Sequence, residues 1–376
     1  MRDLDQLRRA CAALVCPTSK LPLELRSLEE AECAAGAAFL PRETACNTKG
    51  VPSSPVGRTP WVLLRRDFAC AYPVLEDVPI LLSPEALRPA SLRTAVDLRS
   101  PTHAEAYEEM DFYNAEARRQ AADIARVGAP ADMMPLHHMN RGEREAFPNP
   151  RDLWVDAVYD GPAQWDAYRH LGTVRGRAFL QLGGKGSHAV KFLLAGAAEA
   201  WLVTPMHGEA LFARALAESF QVAEGLRCVV AVAEELPLHD GTVDGVYAGG
   251  CLHHMRTGLA LAEVARALRP GGTFAAVEPW RAPFYGLGTR LLGKREPSVY
   301  CRPLTSSRVA PLRQTFSWAR VVHHGALTRY ALLALGKLGI PCGPGLARRV
   351  NDVDDALASL VRLRGLGSSV AVLARK

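Results

Sequence analysis

A chain of 376 residues with a net charge of +6, 48% hydrophobic and 22% charged residues has the composition of an ordinary water-soluble globular protein. It is long enough for one large domain with an appendage, or for two domains. No apolar run approaches bilayer-spanning length, and the basic residues are spread among acids rather than gathered in a block, so neither a membrane segment nor a nucleic-acid partner is expected. The nine cysteines are odd in number and irregularly spaced, which argues for reduced thiols rather than a disulfide framework. The opening MRDLDQLRRACAALVC carries acids and lacks the long apolar core of a secretory signal, so a cytoplasmic location is the expectation.

In chain order, LVCPTSKLPLEL (14–25) and RRDFACAYPVLEDVPILL (65–82) bracket a Gly/Pro/Ser-rich middle. Short β-rich segments around a long loop predict a small module over residues 1–84. Residues 85–170 read as a helical region that could cap a substrate. Within it SPTHAEAYEEMDFYNAEARRQAADIARV has Ser100 as N-cap, and a Met/His-rich loop leads to the helical WVDAVYDGPAQWDAYRHL. From 171 to 376 strand-like and helix-like segments alternate: AFLQL and a helix from Ser187, AAEAWLVT and GEALFARALAES, CVVAVAE, DGVYAGG and LALAEVARALRPGG, then TFAAVEPW, WARVVHH and SSVAVLAR. Strict alternation is the signature of a parallel, doubly wound sheet, here of seven strands. Arg269-Pro270-Gly271-Gly272 is expected as a helix end and turn.

Three segments, in order, carry a family resemblance. FLQLGGKGSH (179–188) is similar to a D-x-G-x-G-x-G loop. AEELPLHDGTVDGVYAGGCLHHM (233–255) and LAEVARALRPGGTFAAVEPW (261–280) are similar to two further motifs of the class I S-adenosylmethionine (SAM)-dependent methyltransferases, especially the quinone and natural-product branch. The resemblance implies an α/β, Rossmann-like sheet, SAM as cofactor, no metal, and methyl transfer to a small molecule. In such a sheet the ligand lies at the carboxyl ends of the strands near the switch in strand order. There Gly183, Gly184 and Gly186 would let the backbone approach it, and the helix from Ser187 would point free N–H groups at the SAM carboxylate. The resemblance further implies adenine contact at Ala233 and Glu234, and puts Gly249, Gly250 and Cys251 at the level where substrate and sulfonium meet. His253 is a candidate general base, since its proton affinity lies near neutrality; a structural role at a helix start is equally open to it and to His254.

Several positions depart from the family pattern. Gln181 replaces the acid of the glycine loop, with Lys185 and Ser187 where two glycines are expected. The second strand ends in Thr204 and Pro205 where the ribose-binding acid usually stands, leaving Glu209 one turn further on either to reach the ribose or to favour its helix dipole. The acid that recognises the adenine amino group is Val232.

The flanks of the N-terminal module resemble the short zinc-ribbon-like domain of some bacterial rRNA methyltransferases. Its ligand pairs are broken, with Cys16 facing Ser19 and Cys70 alone before Tyr72, so a metal-free module is expected.

A divergent glycine loop with a helical cap is also similar to azetidine-2-carboxylate synthases, which cyclise SAM and release methylthioadenosine. For that chemistry an aromatic face would hold the sulfonium and a polar group would orient the amine. Tyr159, Tyr168, Asn140 and Ser187 are the candidates, and Trp280 and Tyr285 could line the same pocket. The N-terminal resemblance implies RNA methylation, and the missing acids are compatible with a non-catalytic scaffold. The oligomeric state is not legible.

Overall fold

The computed structural model describes residues 7–8, 11–40, 60–83, 86–89, 101–128, 160–282, 303–326, 328–340, 349–350, 352–354, 356 and 366–376. Ser100, Asn140, Tyr159 and Tyr285 lie outside them.

The N-terminal part contains β1 (Leu23–Ser27), α1 (Leu28–Ala35), β2 (Phe39–Leu40), β3 (Trp61–Arg65), β4 (Ala71–Leu75), β5 (Val78–Pro79) and β6 (Arg88–Pro89). Four of these strands form an antiparallel sheet in the order β1-β3-β4-β5. Ser27 starts α1 with a reciprocal capping box to Glu30, and Gly36 ends it in the left-handed conformation, as the local sequence dictates. Cys16 and Cys70 are both buried here as free thiols. Cys16 Sγ lies 3.3 Å from the Tyr72 hydroxyl and 3.5 Å from that of Thr18. Among the described residues there is no group of three or more His, Cys, Asp or Glu side chains arranged to hold a metal ion.

This module is continuous with the large core. Leu14 and Leu238 form an antiparallel bridge, Ile80 and Val230 a parallel one, and Lys20 reaches Glu263 at 2.6 Å. Leu14, Leu63 and Tyr72 are buried in one cluster with Trp201, Val246 and Phe274.

The main sheet follows α2 (Pro101–Val127) and α3 (Gly161–Leu171). It is built from β7 (Ala178–Leu182), α4 (Ser187–Leu194), β8 (Glu199–Thr204), α5 (His207–Ser219), β9 (Leu226–Val230), β10 (Val243–Gly249), α6 (Thr257–Ala267) and β11 (Leu268–Pro279). The short α7 (Ser306–Val309) and α8 (Leu312–Thr315), β12 (Trp318–His324), α9 (Thr328–Lys337) and β13 (Ser369–Arg375) complete it. The order is β12-β13-β11-β10-β7-β8-β9. Strands β7 to β11 are parallel, and β13 runs antiparallel to both its neighbours. The seven alternating segments of the sequence are thus the seven strands of a Rossmann-like sheet. The order switches between β10 and β7, which puts the ligand crevice at the carboxyl ends of those two strands.

One face of the sheet carries α4, α5, α2 and α3. Residues Phe179, Leu202 and Tyr247 point into this layer, against Ala213, Phe192 and Tyr168. The described helices of the region 85–170 therefore lie in the helix layer. Asn114 of α2 accepts a hydrogen bond from the first-turn amide of Gly208 in α5 at 2.5 Å, so α2 is tied to the end of β8.

One boundary differs from expectation. Helix α6 stops at Ala267 and β11 begins at Leu268, which pairs with Val243. Arg269-Pro270-Gly271-Gly272 is therefore an irregular opening of the strand, with a register shift between Val243 and Gly245, rather than a turn outside it. Gly271 takes the positive φ this needs. No helix of the described residues is long and apolar enough to cross a membrane.

Candidate active site

The glycine loop joins β7 to α4 at the switch in strand order. Gly183, Gly184 and Gly186 all have positive φ, at 64°, 70° and 77°. A Cβ at residue 183 would stand 2.8 Å from the Cβ of Cys251, so the loop is pressed against the end of β10. Cys251 Sγ donates to the Leu182 carbonyl at 2.9 Å, fixing this contact. Gly186 has a different job: its Cβ would lie 2.4 Å from that of Ala213, so it lets α4 approach α5.

The three substitutions in this loop have clear local roles. Buried Gln181 bridges the turn: its Nε2 donates to the Gly183 carbonyl at 2.9 Å and its Oε1 accepts from the Ala189 amide at 2.8 Å. An amide can do both where a carboxylate could only accept. Lys185 points to the helix layer and donates to Gln120 of α2 at 2.7 Å. Ser187 is the first residue of α4 and is buried.

At the end of β8, buried Thr204 donates to the carboxylate of buried Glu209 at 2.5 Å. The structure thus brings together the two residues that stand where a ribose-binding acid would. Past β9, Ala233 and Glu234 lie in a helical turn over Ala233–Glu235. Ala233 is buried, and Glu234 accepts from the Arg256 amide at 2.8 Å. The neighbouring Glu235 accepts from Ser83 at 3.0 Å, so the N-terminal module buttresses this turn.

Gly250 follows β10 with φ 65°, and no atom lies within 4 Å of where its Cβ would be. The backbone is open here, on the side of the crevice. His253 sits two residues beyond Cys251 in the short helix Leu252–His254, its Nδ1 2.6 Å from Oε2 of Glu278. Glu278, at the end of β11, is not singled out by sequence; the TFAAVEPW strand holds the signal, an acid in an otherwise apolar strand end. His254 packs against His253 with ring centroids 4.0 Å apart and the planes tilted by 42°. Burial, then the neighbouring His253 and Arg308, pushes its pKa down to about 3.

Tyr168 is buried in the helix layer, its ring against His188, Phe192 and Tyr247. Its hydroxyl accepts from Gln164 Nε2 at 2.8 Å and from Lys191 Nζ at 3.3 Å, and meets His188 Nδ1. Lys191 Nζ stands 5.6 Å over its ring. Trp280, just past β11, packs edge-on against His323 of β12.

The residues at the carboxyl ends of β7, β8 and β10 fit a nucleoside-type cofactor by their chemistry. The glycine turn can carry no side chain, Gly250 leaves open backbone, and a hydroxyl–carboxylate pair stands at the end of β8. Gly183, Gly184, Gly250 and Cys251 would hold the methionine end, Thr204 and Glu209 the ribose, and Ala233 and Glu234 the base.

Residues 180–276 match the family model described as "Methyltransferase domain". No curated protein matches the chain. Among solved structures, a geranyl diphosphate methyltransferase in complex with SAM is 19% identical, with 57% of this chain and 84% of that chain covered and a TM-score of 0.41. The geranyl diphosphate C-methyltransferase of Streptomyces coelicolor A3(2) is 15% identical, covering 66% and 98%, with a TM-score of 0.41. A phosphoethanolamine N-methyltransferase 2 of Haemonchus contortus is 15% identical, covering 57% and 52%, with a TM-score of 0.42. The matched segment holds the glycine loop, the turn Ala233–Glu235 and the end of β10, and it supports SAM as the cofactor. Residues 180–276 thus match a methyltransferase domain and carry the parallel strands of the Rossmann-like sheet.

Proposed function

We propose that the chain is a SAM-dependent enzyme that transfers the methyl group of SAM to a small-molecule acceptor, in natural-product or other secondary metabolism. The observation that carries this is the side-chain-free turn at Gly183, held against Cys251 at the switch in strand order, inside the segment that matches the methyltransferase model. Methyl transfer needs chiefly proximity and alignment of a nucleophile with the methyl carbon, and such a crevice supplies both. The division into a module at 1–84, a helical region at 85–170 and a SAM-binding domain at 171–376 belongs to the same proposal, as does a cytoplasmic location. Cyclisation of SAM draws no support from Tyr168, whose ring face is taken by Lys191.

One experiment tests the reading. Purified protein is incubated with SAM, alone and with a small-molecule extract, and adenosine-containing products are followed by mass spectrometry. S-adenosylhomocysteine that depends on the extract is the expected result. Methylthioadenosine formed from SAM alone would replace methyl transfer by cyclisation.

A further inference from the structure

The sheet ends at β9, two strands away from β7 and its glycine loop, and a cavity opens at this edge. Its wall is shared by both parts of the chain: Leu14 and Asp77 of the N-terminal module, Trp201 of β8, Arg214 of α5, and Leu226 and Arg227 of β9. Its volume is about 40 Å³, room for about three waters or one small polar group. Trp201 and Arg227 stand in the first half of their strands, so the cavity lies away from the carboxyl edge and the cofactor residues.

Two buried N–H donors belong to this wall. Trp201 is in register with Arg227 across the parallel pair β8 and β9, which puts both side chains on one face of the sheet. Trp201 is 1% exposed, and its indole Nε1, which can only donate, has no hydrogen-bond partner among the described residues. Arg227 Nε is likewise buried without one: Oε1 of Glu199 lies 3.2 Å away but outside hydrogen-bond geometry. The Arg227 guanidinium is held in place through Nη1, which donates to the carbonyls of Glu224 at 2.5 Å and Leu226 at 3.3 Å. Arg214 is anchored to the module, donating to the Glu76 carbonyl, with Oδ2 of Asp77 3.9 Å from its Nη2.

Buried donors without acceptors are costly, and an occupant that offers only acceptors removes the cost at both. A carboxylate does so. It brings no proton that would need an acceptor in turn, it has two oxygens for two donors, and its charge strengthens the bond to a guanidinium. Leu14 and Leu226 supply an apolar wall for the rest of such a molecule.

We propose that this cavity is a second small-molecule site that takes a short aliphatic carboxylic acid, its carboxylate accepting from Trp201 Nε1 and Arg227 Nε and its chain lying against Leu14 and Leu226. The site is separate from the cofactor crevice and does not depend on the methyl-transfer reading. Because its wall joins the N-terminal module to the sheet, an occupant fastens one to the other.

The test titrates the full chain, labelled with 15N-tryptophan, with sodium butyrate and, at matched pH and ionic strength, with n-butylammonium chloride. The Trp201 indole N–H resonance should move downfield and saturate at millimolar butyrate, with no saturable shift from butylammonium. Butyrate should also raise the thermal midpoint of the wild-type chain. In Arg227→Gln, half-saturation should need about tenfold more butyrate or above. Should that variant fail to fold, Arg227→Lys takes its place, because it keeps the charge and loses the Nε–H. No saturable shift with butyrate would leave the two donors to water and overturn the proposal. An equal shift with butylammonium would make the cavity blind to charge, and unchanged butyrate affinity in the folded Arg227 variant would remove the guanidinium from the site; either result overturns it as well.

Discussion

Residue 183 and Cys251 approach so closely that a side chain on the first leaves no room for the second: a Cβ at 183 would lie 2.8 Å from Cβ and 3.0 Å from Sγ of Cys251. The glycine is doubly required, because its φ of 64° lies in the left-handed region. Gly183→Ala should destabilise the chain by about 1–3 kcal/mol through strain alone. It should also lower SAM affinity at least tenfold, because the loop must move off the end of β10. In the double variant Gly183→Ala with Cys251→Gly the collision is gone and the strain remains. Calorimetric SAM affinity should therefore recover in part while chemical denaturation still shows the loss; no recovery would mean that loop and strand end are not coupled in binding.

Thr204 and Glu209 make the second prediction. A buried carboxylate bonded to a buried hydroxyl at 2.5 Å stands at the end of β8, where a ribose diol would be held. Glu209→Gln keeps the size and changes the acceptor strength, and it should weaken SAM binding by about 1–2 kcal/mol, roughly tenfold. Thr204→Val leaves the carboxylate without its hydroxyl and should weaken binding as well as stability. An unchanged SAM affinity in Glu209→Gln, measured by calorimetry, would assign this glutamate to the helix dipole alone.

The sheet is legible in the sequence because each strand is a short apolar run with a helical period between runs, a pattern that survives without knowledge of contacts. The glycine loop is legible as a place. What Gln181 does is not, because its two hydrogen bonds go to backbone groups two and eight residues on, which no motif encodes. Glu278 escapes for the same reason: its partners, the amides of Cys251, Leu252 and His253, are 25 to 27 residues away. The opening of β11 misleads because Pro and Gly usually mark a turn, and here tertiary pairing of Leu268 with Val243 carries the strand back to the helix end.

Tyr168 is a sequence candidate for contact with the sulfonium, and the network around it gives a different expectation. Tyr168→Phe removes the oxygen that Gln164, Lys191 and His188 share. Leaving buried polar groups short of a partner costs about 1–3 kcal/mol. Thermal denaturation should show that loss, with SAM affinity within threefold of wild type. Unchanged stability with a tenfold loss of SAM affinity would instead make Tyr168 part of the site.

The last prediction concerns pH. His207 starts α5 and is faced by α2, by the end of β4 and by the residue that follows it. Arg118 of α2 lies 2.5 Å from its Nδ1, the Leu75 carbonyl of β4 is 3.3 Å from its Nε2, and Glu76 is 3.7 Å from Nδ1. A guanidinium can only donate, so Nδ1 carries a lone pair and Nε2 the proton. Burial, followed by the charge of Arg118, lowers the pKa of this ring from 6.5 to about 4, against a smaller opposing pull from Glu76. The unfolded chain thus binds the proton more readily than the folded one. The stabilisation is complete above pH 6.5 and falls as pH drops toward 4, by roughly 3 kcal/mol over the window. His254, lowered to about 3, adds a loss of the same sign that continues further down. Urea denaturation between pH 7.5 and 4.5 should show stability declining with acid. His207→Asn should flatten the part of the decline above pH 4.5, because a neutral amide has no proton to gain. An unaltered slope in that variant would mean that α2 and the end of β4 are not held at α5 by a neutral imidazole.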